Sequence, residues 1–64
     1  MTIREKWIYL RLKERFTIQE VSNRTGINRN TISLFERGLT NISSDNLEKM
    51  VKSLGAEIVL RKDI

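Results

Sequence analysis

Apolar residues along the chain fall into four stretches with helical spacing, and a glycine follows three of them. The first stretch covers residues 2–15, where Thr2 and Glu5 have the spacing of a capping box. Its apolar positions recur at steps of three and four residues, which is typical of one helical face. We predict a buried stripe made of Ile3, Trp7 and Leu10, with Ile8 and Leu12 on a neighbouring stripe.

The second and third stretches predict two short helices joined by a tight turn. Thr17 and Glu20 again have capping-box spacing and open a scaffold helix over about residues 18–25, which ends at Gly26. A recognition helix over about residues 29–37 follows and is stopped by Gly38. Such a pair is typical of a helix-turn-helix, whose second helix lies in the DNA major groove. The expected inward residues are Ile18, Val21, Ile27, Ile32 and Phe35.

A fourth helix is predicted to begin at Ser43 or Ser44 and to end at Gly55. Its apolar stripe consists of Leu47, Met50, Val51 and Leu54. The pattern then changes to a period close to two, which predicts a short strand made of Glu57, Ile58, Val59, Leu60 and Arg61. A lone strand has unpaired backbone groups, so we expect it to pair with its copy in a second subunit. The alternatives are a frayed end and a helical extension.

The composition narrows the class of protein. With 64 residues the chain is long enough for one domain over residues 1–64, and we expect an all-α, compact four-helix fold with the short C-terminal strand. Without cysteine or histidine, disulfides are excluded, and we expect neither a zinc site nor any other metal or cofactor. A net charge of +4 favours a polyanionic partner, with nucleic acid ahead of a membrane surface.

Other function classes have little support in the sequence. There is no histidine or cysteine to form a nucleophile–base set, no glycine-rich phosphate loop and no carboxylate cluster, so we expect no enzyme and no small-molecule substrate. No apolar run approaches the roughly 20 residues that cross a bilayer, and the N-terminus lacks the pattern of a signal peptide. We therefore expect no membrane partner and a cytoplasmic, nucleoid-associated protein.

The stretch FTIQEVSNRTGINRNTISLFERG, followed by LEKMVKSLG, resembles the phage-repressor and Cro-like (Xre-type) helix-turn-helix family. The resemblance covers about residues 7–54 and implies a lambda-repressor-like fold that binds double-stranded DNA. In this family an arginine on the first helix often pairs with a glutamate near the end of the recognition helix. Arg11 and Glu36 occupy those places here, which implies a structural ion pair and no catalytic role for Glu36.

The same resemblance implies which residues contact DNA. The implied base contacts are Arg29, Asn30, Ser33 and Leu34, and the implied phosphate contacts are Arg37, Thr40 and Asn41. We also expect phosphate contacts at Thr17, Asn28 and Ser43, the last because backbone N–H groups at the start of the fourth helix can bind a phosphate. The chemistry suits these roles, because arginine can bind guanine, asparagine can bind adenine and leucine can contact a thymine methyl. We interpret Arg4, Lys6, Lys13 and Lys62 as solvated surface charges, Tyr9 as an exposed residue, and Trp7 and Phe35 as core residues instead of stacking platforms.

Three functions stay open at this point. The first is a repressor-like regulator that binds a palindromic operator as a homodimer. The second is an antitoxin that binds a toxin protein and its own operator, because the tail AEIVLRKDI resembles that of a DNA-binding antitoxin subgroup. The third is a helix-turn-helix used for protein contact alone.

Overall fold

Four helices make up the secondary structure in the part of the chain that the computed structural model describes, residues 1–59. They are α1 (Ile3–Lys13), α2 (Ile18–Thr25), α3 (Arg29–Glu36) and α4 (Ser44–Ser53). Helix α2 packs against both α3 and α4, and α1 packs against α3. The predicted all-α, four-helix arrangement is confirmed, and α2 and α3 form the helix-turn-helix.

Capping boxes define where α1 and α2 begin. The Thr2 hydroxyl accepts the Glu5 N–H at 3.1 Å, and the Glu5 carboxylate accepts the Thr2 N–H at 2.9 Å. Thr17 and Glu20 repeat the arrangement at 3.1 and 3.0 Å. In each pair, hydrogen bonds from the threonine lower the pKa of the glutamate, because they favour the ionised carboxylate. The backbone N–H has the larger effect and the side chain the smaller one. Two threonine–glutamate pairs thus place both helix starts.

Among the described residues, the core is a single cluster of nine buried apolar side chains, all of which the sequence pattern predicts to face inward. They are Trp7, Val21, Ile27, Ile32, Phe35, Leu47, Met50, Val51 and Leu54. The predicted burial of Ile3 is wrong, since 53% of it is exposed, and Leu12 is 60% exposed. Helix α1 is covered mainly along the stripe that contains Trp7, so the apolar residues beside this stripe remain open to solvent.

The end of α1 differs from the expectation that the helix continues to Arg15. The helix stops at Lys13, and Arg15 adopts a left-handed conformation with φ of 61°. The N–H of Phe16 binds the Arg11 carbonyl and the N–H of Arg15 binds the Leu12 carbonyl, both at 3.1 Å. This is the hydrogen-bond pattern of a Schellman motif, in which glycine usually occupies the left-handed position. No glycine marks this helix end in the sequence.

Replacing Arg15 by glycine should therefore stabilise the protein. An L-residue in the left-handed region costs about 1–2 kcal/mol, and the greater chain entropy of glycine offsets about 0.5–1 kcal/mol of the gain. We expect the urea midpoint of Arg15→Gly to rise, which corresponds to an increase of roughly 0.5–1 kcal/mol in the free energy of unfolding. Lys13→Gly is the matched control, because Lys13 is helical and its replacement should lower the midpoint. A lower midpoint for Arg15→Gly would contradict strain at this position.

Within the described residues, the structure shows no strand at the C-terminal end, where one is predicted. Residues 57–59 have no regular secondary structure, while Leu60 and Arg61 lie outside the described residues. A strand requires a neighbouring edge to which its backbone groups can bond, and residues 1–59 contain no strand that could provide one. The alternating pattern therefore indicates which side chains could share a face, but it does not by itself provide a pairing partner.

Candidate nucleic-acid interface

The turn between α2 and α3 is held by side chains from the last turn of α2. Gly26 has φ of 77°, and its N–H binds the Ser22 carbonyl at 2.9 Å. The Ser22 hydroxyl donates to the Ile27 carbonyl at 2.6 Å, and the Thr25 hydroxyl accepts the Ile27 N–H at 3.2 Å. Buried Ile27 also anchors this turn in the core. These contacts fix the orientation of α3 relative to α2. The contacts of Ser22 are not predicted by the sequence patterns.

Helix α3 has two chemically different faces. Ile32 and Phe35 are buried against the other helices. On the opposite side lie the four residues implied as base contacts, which are spaced to share one helical face. Arg29, Asn30 and Leu34 are exposed, and Ser33 is half-buried. The fold therefore presents one arginine, one amide, one hydroxyl and one aliphatic side chain together on the side of α3 that faces away from the core.

All six residues that are expected to contact phosphates are exposed. They lie at the start of α2, at both ends of α3 and in the loop between α3 and α4. Three of them are helix caps. Thr17 accepts the Glu20 N–H, Asn28 accepts the Asn30 N–H at 2.7 Å, and Ser43 accepts the Asn46 N–H at 3.1 Å. Capping uses an acceptor oxygen, so the amide hydrogens of Asn28 and the hydroxyl hydrogen of Ser43 remain as donors. Donors are what a phosphate oxygen needs.

The other three lie close together after the last turn of α3. Arg37 is the C-cap of α3, because the helix ends at Glu36, one residue before the end that the pattern predicts. Thr40 and Asn41 belong to the loop that leads to α4. Both ends of the exposed α3 face are therefore flanked by polar groups that can donate hydrogen bonds.

The carboxylate of Glu36, at the end of α3, is bound by two side chains from α1. Arg11 forms a two-pronged pair with it, with Nε to Oε2 at 2.8 Å and Nη2 to Oε1 at 2.7 Å. The Trp7 Nε1–H donates to Oε2 at 2.9 Å. Arg11 also donates from Nη1 to the Phe16 carbonyl at 2.9 Å. Only 13% of the Arg11 side chain and 8% of the Glu36 side chain are exposed, so this is a nearly buried ion pair.

Two contacts of this cluster are absent from the expectations above. Trp7 is a core residue as predicted, but its indole N–H also binds the Glu36 carboxylate. A buried indole N–H needs a hydrogen-bond partner, and this requirement could have indicated the contact. The interpretation of Arg4 as a solvated charge is wrong. Arg4 is half-buried, and its Nη1 donates to the Glu36 carbonyl at 3.4 Å. Lys6 and Lys13 are exposed, as is Tyr9, and Lys62 lies outside the described residues.

Arg4 lies directly over Gly38, which leads to a matched pair of glycine variants. Gly38 has φ of 75°, and a Cβ there would lie 3.3 Å from the Arg4 Nη1. Gly26 has nearly the same φ but no neighbouring atom within 4 Å of its Cβ position. We expect Gly26→Ala to lower the free energy of unfolding by about 1–2 kcal/mol, because alanine is strained at this positive φ.

Gly38→Ala should cost more, because it adds displacement of Arg4 to the same strain. Urea unfolding of the two variants in parallel measures the difference. Equal losses would contradict a close contact between Arg4 and Gly38.

Neither a membrane segment nor a metal cluster accompanies these residues in the described part of the chain. None of the four helices is long and apolar enough to cross a bilayer. Within residues 1–59, no three acidic side chains come together in a way that could hold a metal ion.

Comparison with known proteins identifies the family. A family model described as Helix-turn-helix matches residues 8–60, which is most of the chain. The match includes α2, α3 and α4 in full and α1 apart from its first five residues. No curated protein and no solved structure gives a significant match. The match covers the turn at Gly26, the exposed face of α3 and the Arg11–Glu36 pair. The chain therefore belongs to the phage-repressor and Cro-like helix-turn-helix family of DNA-binding transcription regulators.

Proposed function

We propose that this protein is a repressor-like regulator that binds a palindromic operator as a homodimer, with α3 of each copy in the major groove. The exposed face of α3 carries this proposal. It presents Arg29, Asn30, Ser33 and Leu34 on a helix whose start is tied to α2 and whose end is tied to α1. A helix held at both ends can keep base-contacting side chains in a fixed geometry, and discrimination between sequences requires such a geometry. No catalysis and no cofactor take part in this function.

The number of base-contacting residues supports a dimer. Four side chains on one short helix cover only a few base pairs, whereas two copies related by a two-fold axis would double the contacts. Half-sites about one helical turn apart, roughly 34 Å, suit such a pair.

An apolar surface on the chain supports the same conclusion. A groove of about 350 Å³ lies between α1, α4 and residues 56–59, with Trp7, Leu47 and Val51 among its lining residues. Ile3, Ile58 and Val59 are exposed beside it. Apolar groups gathered around one groove are typical of a protein interface. Pairing of residues 57–61 with those of a second copy would also give their backbone groups hydrogen-bond partners.

A selection from random duplex DNA tests the proposal. We expect one enriched inverted repeat, and we expect the mass of the complex to correspond to two chains on one duplex. Failure to enrich any motif would overturn the proposal. A single, asymmetric half-site bound by one chain would overturn the homodimer and leave sequence recognition intact.

A second candidate, the antitoxin, is favoured by a different surface. Tyr9 and Leu12 are exposed, and they lie three residues apart on α1. An aromatic and an aliphatic residue side by side on a helix can anchor a protein partner. We expect a second protein to co-purify with the wild-type chain in its native cell and to be lost from Tyr9→Ala with Leu12→Ala, while DNA binding is retained. Purification of the chain alone would overturn this candidate.

A further inference from the structure

A second, smaller cleft lies between the start of α1 and the loop that follows α3. Its volume is about 270 Å³, and its polar lining comes from Thr2, Arg4, Thr40 and Asn41. Phe35 and Gly38 form apolar parts of the wall. The cleft thus brings together the first turn of α1 and the loop in which two phosphate contacts are expected.

Arg4 supplies the positive charge of this cleft. Its guanidinium lies over Gly38, within 3.3 to 3.7 Å of the position that a Cβ would take, and one of its N–H groups binds the Glu36 carbonyl. A guanidinium has five N–H donors, so one such bond leaves four for other partners. Packing over Gly38 therefore positions the group without using up its hydrogen-bonding capacity.

The carboxylates of Glu5 and Glu36 each bind other groups. The Glu36 carboxylate accepts from Arg11 and Trp7, and the Glu5 carboxylate accepts the Thr2 N–H. Within residues 1–59, Arg4 takes part in no ion pair. The hydrogen bonds from Thr2 lower the pKa of Glu5 most, and the charge of Arg4 also lowers it but is the smallest of the causes of that shift. A half-buried guanidinium that forms no ion pair and has free donors is suited to an anion, and its planar fork matches the oxygens of a phosphate.

We propose that this cleft binds a phosphodiester of the DNA backbone, with Arg4 as its cation and Thr40 and Asn41 as neighbouring hydrogen-bond donors. The inference rests on the proposed function, because the loop that contains Thr40 and Asn41 directly follows the recognition helix. It extends the DNA contact surface from α3 and its loop to the first turn of α1. Arg4 contributes affinity without sequence preference, since phosphates are the same in every sequence.

The test measures how DNA affinity depends on salt for two variants. Arg4→Gln removes the charge, and Arg4→Met removes it while keeping a long side chain over Gly38, so that a folding defect in one variant still leaves the other. Lys13→Gln is the control, because it removes the same charge from the opposite end of α1. Each protein is titrated with the selected duplex and with a scrambled duplex over a range of salt concentrations. Circular dichroism establishes that each variant is folded.

We expect both Arg4 variants to reduce the slope of log K against log salt by about 0.9 for each bound chain, which is about 1.8 for the proposed dimer, on both duplexes. The ratio between the two affinities should stay unchanged, and Lys13→Gln should keep the wild-type slope. An unchanged slope in the folded Arg4 variants, or a loss confined to the selected duplex, would overturn the phosphate site. A wild-type protein that binds both duplexes equally would instead overturn the proposed function, and the slopes would still test the cleft.

Discussion

Replacing Glu36 by alanine should cost about 3–5 kcal/mol of unfolding free energy, because it removes one partner of a nearly buried ion pair. The Arg11 guanidinium and the Trp7 N–H would both lose the carboxylate that they bind. A domain of 64 residues has a total stability of roughly 3–10 kcal/mol. Urea unfolding followed by circular dichroism should therefore show a variant that is marginally folded or already unfolded in buffer.

An exposed ion pair on α4 provides the control. Lys52 and Glu48 lie 3.2 Å apart with 63% and 58% of their side chains exposed, and Glu48→Ala should change stability by no more than about 1 kcal/mol. If Glu36→Ala and Glu48→Ala have similar stabilities, the Glu36 cluster does not hold α3 to α1.

Replacing Arg11 and Glu36 together tests why this ion pair matters for stability. Arg11→Met with Glu36→Met removes the two ionic groups together and fills the space with apolar atoms. We expect this double variant to be more stable than either single alanine variant, because no unpaired buried charge remains. A double variant as unstable as the sum of the single variants would mean that the loss comes from packing alone.

The second large effect is expected from Arg29→Ala combined with Asn30→Ala. Each two-pronged side-chain contact to a base contributes about 1–3 kcal/mol of discrimination, so the double variant should bind the selected duplex about 30-fold to 10⁴-fold more weakly for each bound chain, and the loss is larger for a dimer. The fold should be unaffected, because both side chains are exposed and the α3 cap uses only the backbone N–H of Asn30.

Equilibrium titration of the selected duplex measures this loss, and a urea midpoint checks the fold. Lys49→Ala is the control, since it removes one exposed basic side chain from α4 and should leave the affinity within a few-fold of wild type. A folded Arg29→Ala, Asn30→Ala variant that binds as tightly as wild type would exclude base recognition by α3. The use of this helix-turn-helix for protein contact alone would then be favoured.

Much of this molecule could be predicted because its helices are specified locally. The threonine–glutamate caps, the glycines and the apolar spacing each depend on residues close together in the chain, and they predict four helices and their inward faces. The placement of Arg11 opposite Glu36 came from the family resemblance, and the two side chains lie 2.7 Å apart in the structure.

The remaining features depend on contacts between distant segments. The exposure of Ile3 follows from how little of α1 the other helices cover, and the position of Arg4 follows from the path of the chain at Gly38. Neither leaves a periodic signal in the sequence. The left-handed conformation of Arg15 is hidden for a related reason, since an arginine gives no indication of the turn that glycine usually marks. Residues 57–59 need a partner outside the single chain before an alternating pattern becomes a strand.

The ratio of two dissociation constants tests sequence-specific binding through α3 most directly. Wild-type protein is titrated, at one fixed salt concentration, with the selected duplex and with a scrambled duplex of the same length and composition. We predict that the selected duplex binds about 10³-fold more tightly or better, which is the range of specific DNA-binding proteins. A ratio close to one would contradict sequence-specific recognition by this chain.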